Sequence, residues 1–326
     1  MSLIDRYARR FSYLRLSVTD ACNFRCVYCL PNGYQKPPGQ PEPLDVEEIR
    51  NLISGFAALG AWKVRITGGE PTLRRDLMEI LEIARSTPGV RKVALSTNGA
   101  RLKQLAPSLK SVGLDAVNVS VDSLNPVRFH ELTGRDELSP ILEGIDAALA
   151  VGISQVKINS VLMKGFNDAD FDSFAEYVRE RPISVRFIEL MPTASNRALF
   201  EGHHVRATDI RERLLSRGWS LRGRREGDGP AEEFTHADYR GQMGVIAPYA
   251  KDFCGTCNRL RVTAQGGLRL CLFGEKDLSL RPLLRSASQR DELIAAVISN
   301  LELKDISHHL QRGIYGNNQT FSAMGG

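Results

Sequence analysis

The sequence predicts an α/β fold built on a parallel β-sheet, and three observations carry this prediction. Short β-branched strands alternate regularly with amphipathic helices through the first half of the chain. The strands are apolar enough to be covered on both faces. Polar residues recur where the strands end, which is the edge where parallel α/β folds bind ligands. An open doubly wound sheet and a barrel both fit this pattern, and periodicity alone does not separate them.

Six strands are predicted in this half, with helices between them. The predicted strands are Tyr13 to Thr19, Trp62 to Thr67, Lys92 to Thr97, Ala116 to Asp122, Gln155 to Val161 and Ser184 to Leu190. The predicted helices run from Asp45 to Leu59, from Arg75 to Arg85, from Leu102 to Leu109, in segments up to Ala150, and from Asp168 to Arg179. The first helix is the best defined, because Asp45 is a good N-cap and Glu48 completes a capping box.

The last third of the chain is expected to form a second, smaller domain. The stretch from Arg222 to Pro230 combines glycines with mixed charge, as linkers and exposed loops do. We therefore expect domains over residues 1–222 and 223–326. In the second domain, Gln265 to Gly267 predicts a hairpin turn and Asp291 to Leu301 predicts an amphipathic helix.

Composition limits the classes of partner. The chain has 43 basic and 38 acidic residues and a net charge of +5, which suits an anionic ligand and is too weak to indicate nucleic acid. No apolar run approaches a membrane span, and the polar start gives no sign of a secretory signal. We therefore expect a cytoplasmic protein without a membrane partner, in which thiols stay reduced and cysteine clusters bind metal.

All six cysteines fall into two groups of three. Thiolates are soft ligands, so each group indicates zinc or an iron–sulfur cluster. Structural zinc takes four ligands, whereas three thiolates on a four-iron cluster leave one iron free to bind something else. The first group forms one tight loop in which the thiolates are expected to converge; the second resembles the start of a zinc ribbon that lacks its second pair. The groups are Cys22, Cys26 and Cys29, and Cys254, Cys257 and Cys271.

Charged side chains near both groups are candidate ligand contacts. Glu70 offers a carboxylate in the Gly-Gly turn after the second strand. Arg259 and Arg261 lie two apart on a predicted strand, so both point to one face beside the second cysteine group. Paired arginines suit a polyphosphate or a carboxylate, although a surface salt-bridge ladder fits the same spacing. His203 and His204 are predicted to be loop residues rather than ligands.

The first cysteine group, with Tyr28 just before its last member, resembles the signature of the radical S-adenosylmethionine (SAM) enzymes. In that family the free iron of a [4Fe–4S] cluster chelates SAM, and an electron from the cluster yields a 5′-deoxyadenosyl radical. The resemblance implies a partial (β/α)6 TIM-like barrel of the radical SAM type, open on one side, with a smaller C-terminal cluster-binding domain.

Further motifs narrow the resemblance. They are Arg65 to Pro71 (RITGGEP), Phe187 to Pro192 (FIELMP), Cys254 to Arg261 (CGTCNRLR), a third cysteine fourteen residues after Cys257, and a final Gly-Gly pair. In this order, and over nearly the whole chain, they resemble the MoaA family of GTP 3′,8-cyclases, which act in molybdenum cofactor biosynthesis. That family carries a second [4Fe–4S] cluster whose open iron faces the guanine.

The resemblance implies a role for each matching position. Both cysteine groups would hold clusters. The SAM-contacting positions are Tyr28, Gly69, Ser120 and Met191. The GTP-contacting positions are Arg15, Arg65, Ser96, Lys157, Arg259 and Arg261, where Ser96 replaces the usual threonine. The positions implied in catalysis are Arg15, Arg259, Arg261 and the tail residues Gly325 and Gly326.

The implied reaction removes hydrogen from C3′ of the GTP ribose, and the carbon radical then attacks C8 of the guanine. The product is (8S)-3′,8-cyclo-7,8-dihydroguanosine 5′-triphosphate. The implied partners are GTP, an external electron donor, cyclic pyranopterin monophosphate synthase as the next enzyme, and a second copy of the chain in a homodimer. Two alternatives stay open: another radical SAM enzyme with an auxiliary cluster, such as a peptide-modifying maturase, and a zinc-stabilised binding module. If the resemblance to the GTP 3′,8-cyclases holds, both cysteine groups should face one chamber.

Overall fold

The computed structural model describes residues 3–274, 277–316 and 319–322. Its centre is a row of six parallel strands that are neighbours in the same order as in the sequence. A doubly wound sheet reverses its strand order at a switch point, and this row does not. The topology is therefore that of a partial barrel, as predicted. The strands are β1 (Tyr13–Ser17), β2 (Lys63–Thr67), β3 (Lys92–Thr97), β4 (Ala116–Ser120), β5 (Gln155–Leu162) and β6 (Ser184–Glu189).

The C-terminal part of the chain extends this sheet at both ends. On one side β10 (Arg259–Val262) pairs parallel with β1, followed by antiparallel β11 (Gly267–Arg269) and β12 (Leu278–Ser279). On the other side β9 (Gln242–Ile246) pairs parallel with β6, followed by antiparallel β8 (Glu232–Thr235) and β7 (Ser220–Leu221). The sheet thus continues past residue 222, and the division at that residue stays a prediction.

Helices cover the outside of the sheet. They are α1 (Val46–Ala58), α2 (Leu77–Ser86), α3 (Leu102–Ser111), α4 (Pro126–Thr133), α5 (Leu138–Ala150), α6 (Phe171–Arg179), α7 (Arg197–His203), α8 (Ala207–Ser216) and α9 (Arg290–Leu301), with short 3-10 turns at Pro71–Leu73, Arg281–Leu283, Ala287–Gln289 and Leu310–Arg312. The capping box of α1 is present, since the N–H of Glu48 donates to Asp45 Oδ1 at 2.8 Å and the N–H of Asp45 donates to Glu48 Oε2 at 3.0 Å. None of the helices in the described ranges has both the length and the apolar content of a membrane span.

Two helices begin later than predicted, and the first is α2, which begins at Leu77 rather than at Arg75. The sequence places the start of α6 at Asp168, but the helix begins at Phe171. The Asp168 side chain accepts a hydrogen bond from the N–H of Gly165 at 2.9 Å, so it closes the preceding turn instead.

Strand alternation separates the core from the site. In β2 every residue is buried, with Val64 and Ile66 in the hydrophobic core, while Lys63 and Arg65 line a cavity inside the barrel. Alternate residues of a strand point to opposite faces, so the core side is apolar and the inner side carries charge. The barrel interior is therefore a buried chamber whose walls are polar.

Candidate active site

The first cysteine triad lies in the loop that follows β1. Cys22, Cys26 and Cys29 are half-buried, are not in disulfides, and line a cavity of about 180 Å³ at the carboxyl ends of the strands. Burial raises the pKa of all three thiols, that of Cys29 to about 12. Thiols in such surroundings ionise when they bind a metal, whose charge replaces the lost hydration. This donor set therefore fits an iron–sulfur cluster.

Two glycines bring the turn after β2 against this loop. The N–H of Gly69 donates to the carbonyl of Thr19 at 2.7 Å, and the N–H of Glu70 donates to the carbonyl of Ala21 at 2.7 Å. A Cβ atom on Gly69 would lie 2.3 Å from the Ala21 oxygen, and one on Gly68 would lie 2.4 Å from the Thr19 oxygen. Both positions therefore require glycine, because only glycine lets the two backbones approach this closely.

Glu70 braces the turns. Its carboxylate is fully buried and accepts hydrogen bonds from the N–H of Thr72 at 2.9 Å, the hydroxyl of Thr97 at 2.8 Å and the N–H of Asn98 at 2.6 Å. These partners tie the turn after β2 to the turn after β3. Burial raises the pKa of this carboxyl, and its hydrogen bonds oppose that effect. Glu70 thus shapes the rim of the first cavity.

The four positions matched to SAM contacts line this first cavity together with the triad: Tyr28, Gly69, Ser120 and Met191. The hydroxyl of Tyr28 donates to Asp122 Oδ2 at 2.8 Å, which fixes the ring beside the cysteines. Burial raises the pKa of Asp122 to about 6. The structure thus brings all four residues to one cavity, as the resemblance implies, and their contact with SAM stays a prediction.

The second cysteine triad lines a neighbouring cavity of about 120 Å³ together with most of the residues matched to GTP. Ser96 lies in the wall of the first cavity and is connected to the second through Arg65, whose Nη1 donates to its hydroxyl at 3.1 Å. Lys63 and Arg186 also line the second cavity, and the sequence analysis missed both. The residues predicted for GTP that line it are Arg15, Arg65, Lys157, Arg259 and Arg261.

Parallel register aligns three of these arginines. Arg15 of β1 lies opposite Arg261 of β10 on one side and opposite Arg65 of β2 on the other. Burial lowers the pKa of Arg15 to about 9 and that of Arg261 to about 10, with repulsion between neighbouring cations acting in the same direction. Three buried guanidinium groups in one row favour an anionic ligand that replaces their lost hydration.

Two lysines line the same cavity as the arginines. We call these cations together the cationic wall: Arg15, Arg65, Arg186, Arg259, Arg261, Lys63 and Lys157. Burial lowers the pKa of Lys157 to about 6 and that of Lys63 to about 8, again with nearby arginines contributing. Arg186 has its own counter-ion, since its Nε donates to Glu233 Oε1 at 2.7 Å in a buried ion pair. The wall is thus only partly neutralised by the protein itself.

Several buried polar atoms of this region have no hydrogen-bond partner in the described part of the chain. They include Nε of Arg259 and Arg261 and the Oδ1 atoms of Asn118 and Asn159. Buried polar groups are normally satisfied, so these atoms mark positions where a ligand supplies the partner. Unmet guanidinium donors suit phosphate or purine acceptors, and unmet amide oxygens suit hydroxyl groups.

The two cavities adjoin. Asn118, Asn159, Ile188 and Met191 line both of them. The two triads therefore face a shared wall in the barrel interior, which is the arrangement expected for a substrate held between two clusters.

The cysteines do not converge as tightly as the sequence analysis expected. Within residues 3–274, 277–316 and 319–322, no three Cys, His, Asp or Glu side chains are gathered as a single metal ion requires. A four-iron cluster binds its cysteines at separate corners, so each triad needs only a common cavity wall, and both have one.

The C-terminal segment reaches the first cavity. Phe321 and Ser322 are buried in its wall, and their backbone N–H groups hydrogen-bond the Cys29 sulfur. Upstream, the hydroxyl of Ser195 donates to the carbonyl of Gln319. Gly325 and Gly326, implied in catalysis, lie outside the described residues.

Comparison with known proteins defines the class first. The profile of the radical SAM superfamily matches residues 16–178, and a profile named Molybdenum Cofactor Synthesis C matches residues 183–310. The crystal structure of Streptococcus suis SuiB bound to S-adenosylmethionine aligns over 90% of this chain and 69% of its own, with a TM-score of 0.62 and 13% identity, and so shares the fold. The protein is thus of the radical SAM class.

Relatives then define the family. A protein named GTP 3′,8-cyclase from Yersinia pestis is 49% identical over the full length of both chains. Its namesakes from Stenotrophomonas maltophilia and Vibrio vulnificus are 51% and 48% identical over 99% of this chain, and over 99% and 97% of their own. The chain belongs to the GTP 3′,8-cyclase family. The predicted family, fold class, enzyme class and cofactors, SAM and two [4Fe–4S] clusters, are thereby confirmed.

Proposed function

We propose that this protein converts GTP into (8S)-3′,8-cyclo-7,8-dihydroguanosine 5′-triphosphate, an early step of molybdenum cofactor biosynthesis. The observation that carries the proposal is the row of arginines from β10, β1 and β2 beside the second triad. On β10, the buried Nε atoms of Arg259 and Arg261 have no hydrogen-bond partner among the described residues. A polyphosphate nucleotide supplies the negative charge that this wall lacks. Full-length relatives named GTP 3′,8-cyclase favour this reading over a maturase or a zinc module.

The first cavity is assigned to SAM. The first triad holds a [4Fe–4S] cluster there, and Tyr28, Gly69, Ser120 and Met191 orient the cofactor. A reduced cluster with SAM supplies a 5′-deoxyadenosyl radical, which is able to take hydrogen from an unactivated carbon. The backbone contact at Gly69 fixes the turn on which the methionine end rests.

The second cavity is assigned to GTP. Lys157, Lys63, Arg186 and Arg65 bind the triphosphate, while Arg259 and Arg261 contact the guanine end beside the second cluster. The ribose lies at the shared wall, where the free Oδ1 atoms of Asn118 and Asn159 accept from its hydroxyl groups. Fixing both ends of the nucleotide in a buried chamber holds C3′ in place and keeps stray hydrogen donors away.

Three arginines and the tail are assigned to the reaction itself. Arg15 and Arg261 face each other across neighbouring strands, and Arg259 lies two residues before Arg261 on the same strand. Their charge stabilises negative charge on the nucleotide as its bonds rearrange. Phe321 and Ser322 border the first cavity, and Gly325 and Gly326 follow Ser322 by three and four residues in the sequence.

The partners and compartment belong to the same proposal. An external reductant supplies electrons to the first cluster, and cyclic pyranopterin monophosphate synthase takes the product. The protein acts in the cytoplasm, because its six cysteines are free and metal-binding thiols need a reducing compartment. We also propose a homodimer as the working assembly.

The experiment is anaerobic turnover. Purified protein with both clusters reconstituted is reduced and mixed with SAM and GTP, and the products are separated by chromatography. We expect a cyclised nucleotide together with 5′-deoxyadenosine, and deuterium transfer to the latter from GTP labelled at C3′. Formation of 5′-deoxyadenosine without the nucleotide product or label would contradict the assigned substrate. A Cys29→Ala variant should form neither product.

A further inference from the structure

Two buried cations outside the predicted GTP set contact the loops that carry the second triad. Arg9 and Lys304 are 7% and 4% exposed, and both border the second cavity. Neither belongs to a motif used in the sequence analysis. Each donates a hydrogen bond to a backbone carbonyl group at, or next to, a cysteine of this triad.

Arg9 joins three parts of the chain. Its Nη1 donates to the carbonyl of Cys254 at 3.2 Å and to that of Ile306 at 2.9 Å, and its Nη2 donates to the carbonyl of Asp305 at 2.6 Å. The guanidinium is therefore shared between the loop that begins the second triad and the segment after α9.

A buried counter-ion fixes the direction of this side chain. Asp5 is fully buried at its carboxylate and accepts from Arg9 Nε at 2.7 Å, as well as from the N–H groups of Arg9 and Tyr7 at 3.0 Å. Between them Ala8 has a φ of 60°, a left-handed conformation that costs energy for a residue with a Cβ. The Asp5–Arg9 turn is thus a built element rather than a loose end.

Lys304 holds the other end of the triad. Its Nζ donates to the carbonyl of Leu270, the residue before Cys271. Its ammonium also lies 5.3 Å from the centre of the Phe11 ring, and Arg9 lies 5.9 Å from the same ring. Phe11 is 1% exposed, so both cations pack against the same buried aromatic ring.

We propose that Arg9 and Lys304 are positioning residues for the second cluster. They hold the loops that carry Cys254 and Cys271 against the Phe11 ring and so set the distance between these two cysteines. Backbone carbonyl groups have fixed positions, so charge-assisted bonds to them place the cysteines before the cluster arrives. The two positive charges also lie beside a cluster whose thiolates carry negative charge. This inference rests on the second cluster of the proposed function and adds the two residues that position its cysteines.

The test measures cluster content separately for each triad. Arg9→Met and Lys304→Met remove the charges and keep an unbranched, apolar stem. Arg6→Met is the matched control, because Arg6 is exposed and its contacts within the described part of the chain are the Asp305 side chain, at 3.8 Å, and the Tyr7 ring. After anaerobic reconstitution, iron and sulfide are counted per chain. Electron paramagnetic resonance then distinguishes the cluster that responds to SAM from the one that responds to GTP.

We expect Arg9→Met and Lys304→Met to lose the GTP-responsive cluster signal and about half of the bound iron, while the SAM-responsive signal stays. Arg6→Met should keep both. Lys304→Arg, which restores a charged donor, should recover more of the second signal than Lys304→Met. SAM cleavage without GTP should persist in every variant.

Two results would overturn the proposal. One is a full second cluster with unchanged spectra in both Met variants. The other is parallel loss of both clusters with a fall in the unfolding temperature, which would make Arg9 and Lys304 general stabilisers of the fold. If the wild-type protein binds two clusters but does not convert GTP, the proposed function fails and this inference is still decided by the cluster counts.

Discussion

Binding of GTP should draw a proton from solution, and Lys157 is the group that takes it up. Burial, together with repulsion from Arg186, Arg65 and Lys63, lowers the pKa of Lys157 to about 6, while Glu233 acts in the opposite direction. A group with this pKa is charged in only about 3% of molecules at pH 7.5. A triphosphate in contact with its amine favours the charged form and returns the pKa toward the ordinary value of 10.5.

The magnitude follows from the difference between the two pKa values. At pH 7.5 the bound state holds about one more proton than the free states, since phosphate esters with a pKa near 6 are already ionised. Between the two pKa values, GTP affinity falls about tenfold for each pH unit, or about 1.4 kcal/mol. Lys63, with a pKa of about 8, is uncharged in about a quarter of the molecules at pH 7.5, so it adds only about 0.2 of a proton there and more as the pH rises.

Calorimetry measures this proton directly. Anaerobic titrations of GTP at pH 7.5 are run in Hepes and in Tris, whose ionisation heats differ, and the slope of binding heat against ionisation heat gives the number of protons. We expect about one proton for the wild-type protein. Lys157→Met should reduce the number toward zero, and Lys157→Arg should bind without uptake because guanidinium stays charged.

The reasoning would be refuted by proton uptake that is unchanged in Lys157→Met. It would equally be refuted by wild-type affinity that stays constant from pH 7 to pH 8.

Three further predictions concern single side chains. Arg259→Ala and Arg261→Ala should each weaken GTP binding by about 1.5–3 kcal/mol in anaerobic calorimetry while SAM cleavage persists, and unchanged affinity in both would contradict their role. Gly69→Ala should lose SAM binding and the first cluster, because the new Cβ would lie 2.3 Å from a backbone oxygen. Gly223→Ala is the control, since a Cβ there has no neighbour within 4 Å. Equal cluster content in the two variants would contradict this prediction. Glu233→Ala should cost about 3–5 kcal/mol in chemical denaturation, because it leaves the buried guanidinium of its partner unpaired, and a loss below about 1 kcal/mol would show that water or rearrangement replaces the ion pair.

Much of the fold was predictable because its signals are local. The strand over Lys92–Thr97 has the predicted bounds, and the Asp45 capping box is present as expected. Strand ends were placed too late where polar residues continue the β-branched pattern: β1 ends at Ser17 rather than Thr19, because the chain there turns to meet Gly69. Such contacts between distant turns leave no local signal.

The cationic wall was only partly predictable for a related reason. Arg259 and Arg261 stood out because they follow cysteines, but Lys63 and Arg186 stand on ordinary strands. Lys63 lies two residues before Arg65, so alternation alone could have assigned both to one face. Placing Arg186 in this wall requires knowing that β6 lies beside β5. Its partner Glu233 comes from β8, a strand after the predicted linker.

Polar residues were easiest to misread. The sequence makes Glu70 a candidate ligand contact, but its carboxylate accepts hydrogen bonds from the N–H groups of the turns around it. His204 was expected to be a loop residue; it caps α7, and its Nε2 lies 2.9 Å from Glu189 Oε1, a carboxylate at the rim of the first cavity. Sequence motifs predict candidate site residues, and only coordinates show which of them touch one another.

The pairing of β10 with β1 has a consequence for biosynthesis. The ribosome makes β1 before β2 to β9, but its neighbour on that side, β10, is made only after all of them. Until then the first strand has an unpaired edge on that side, and unpaired strand edges are templates for aggregation. Because Arg15 and Arg261 come together only through this pairing, the part of the anion pocket that they form is complete only once β10 has joined the sheet.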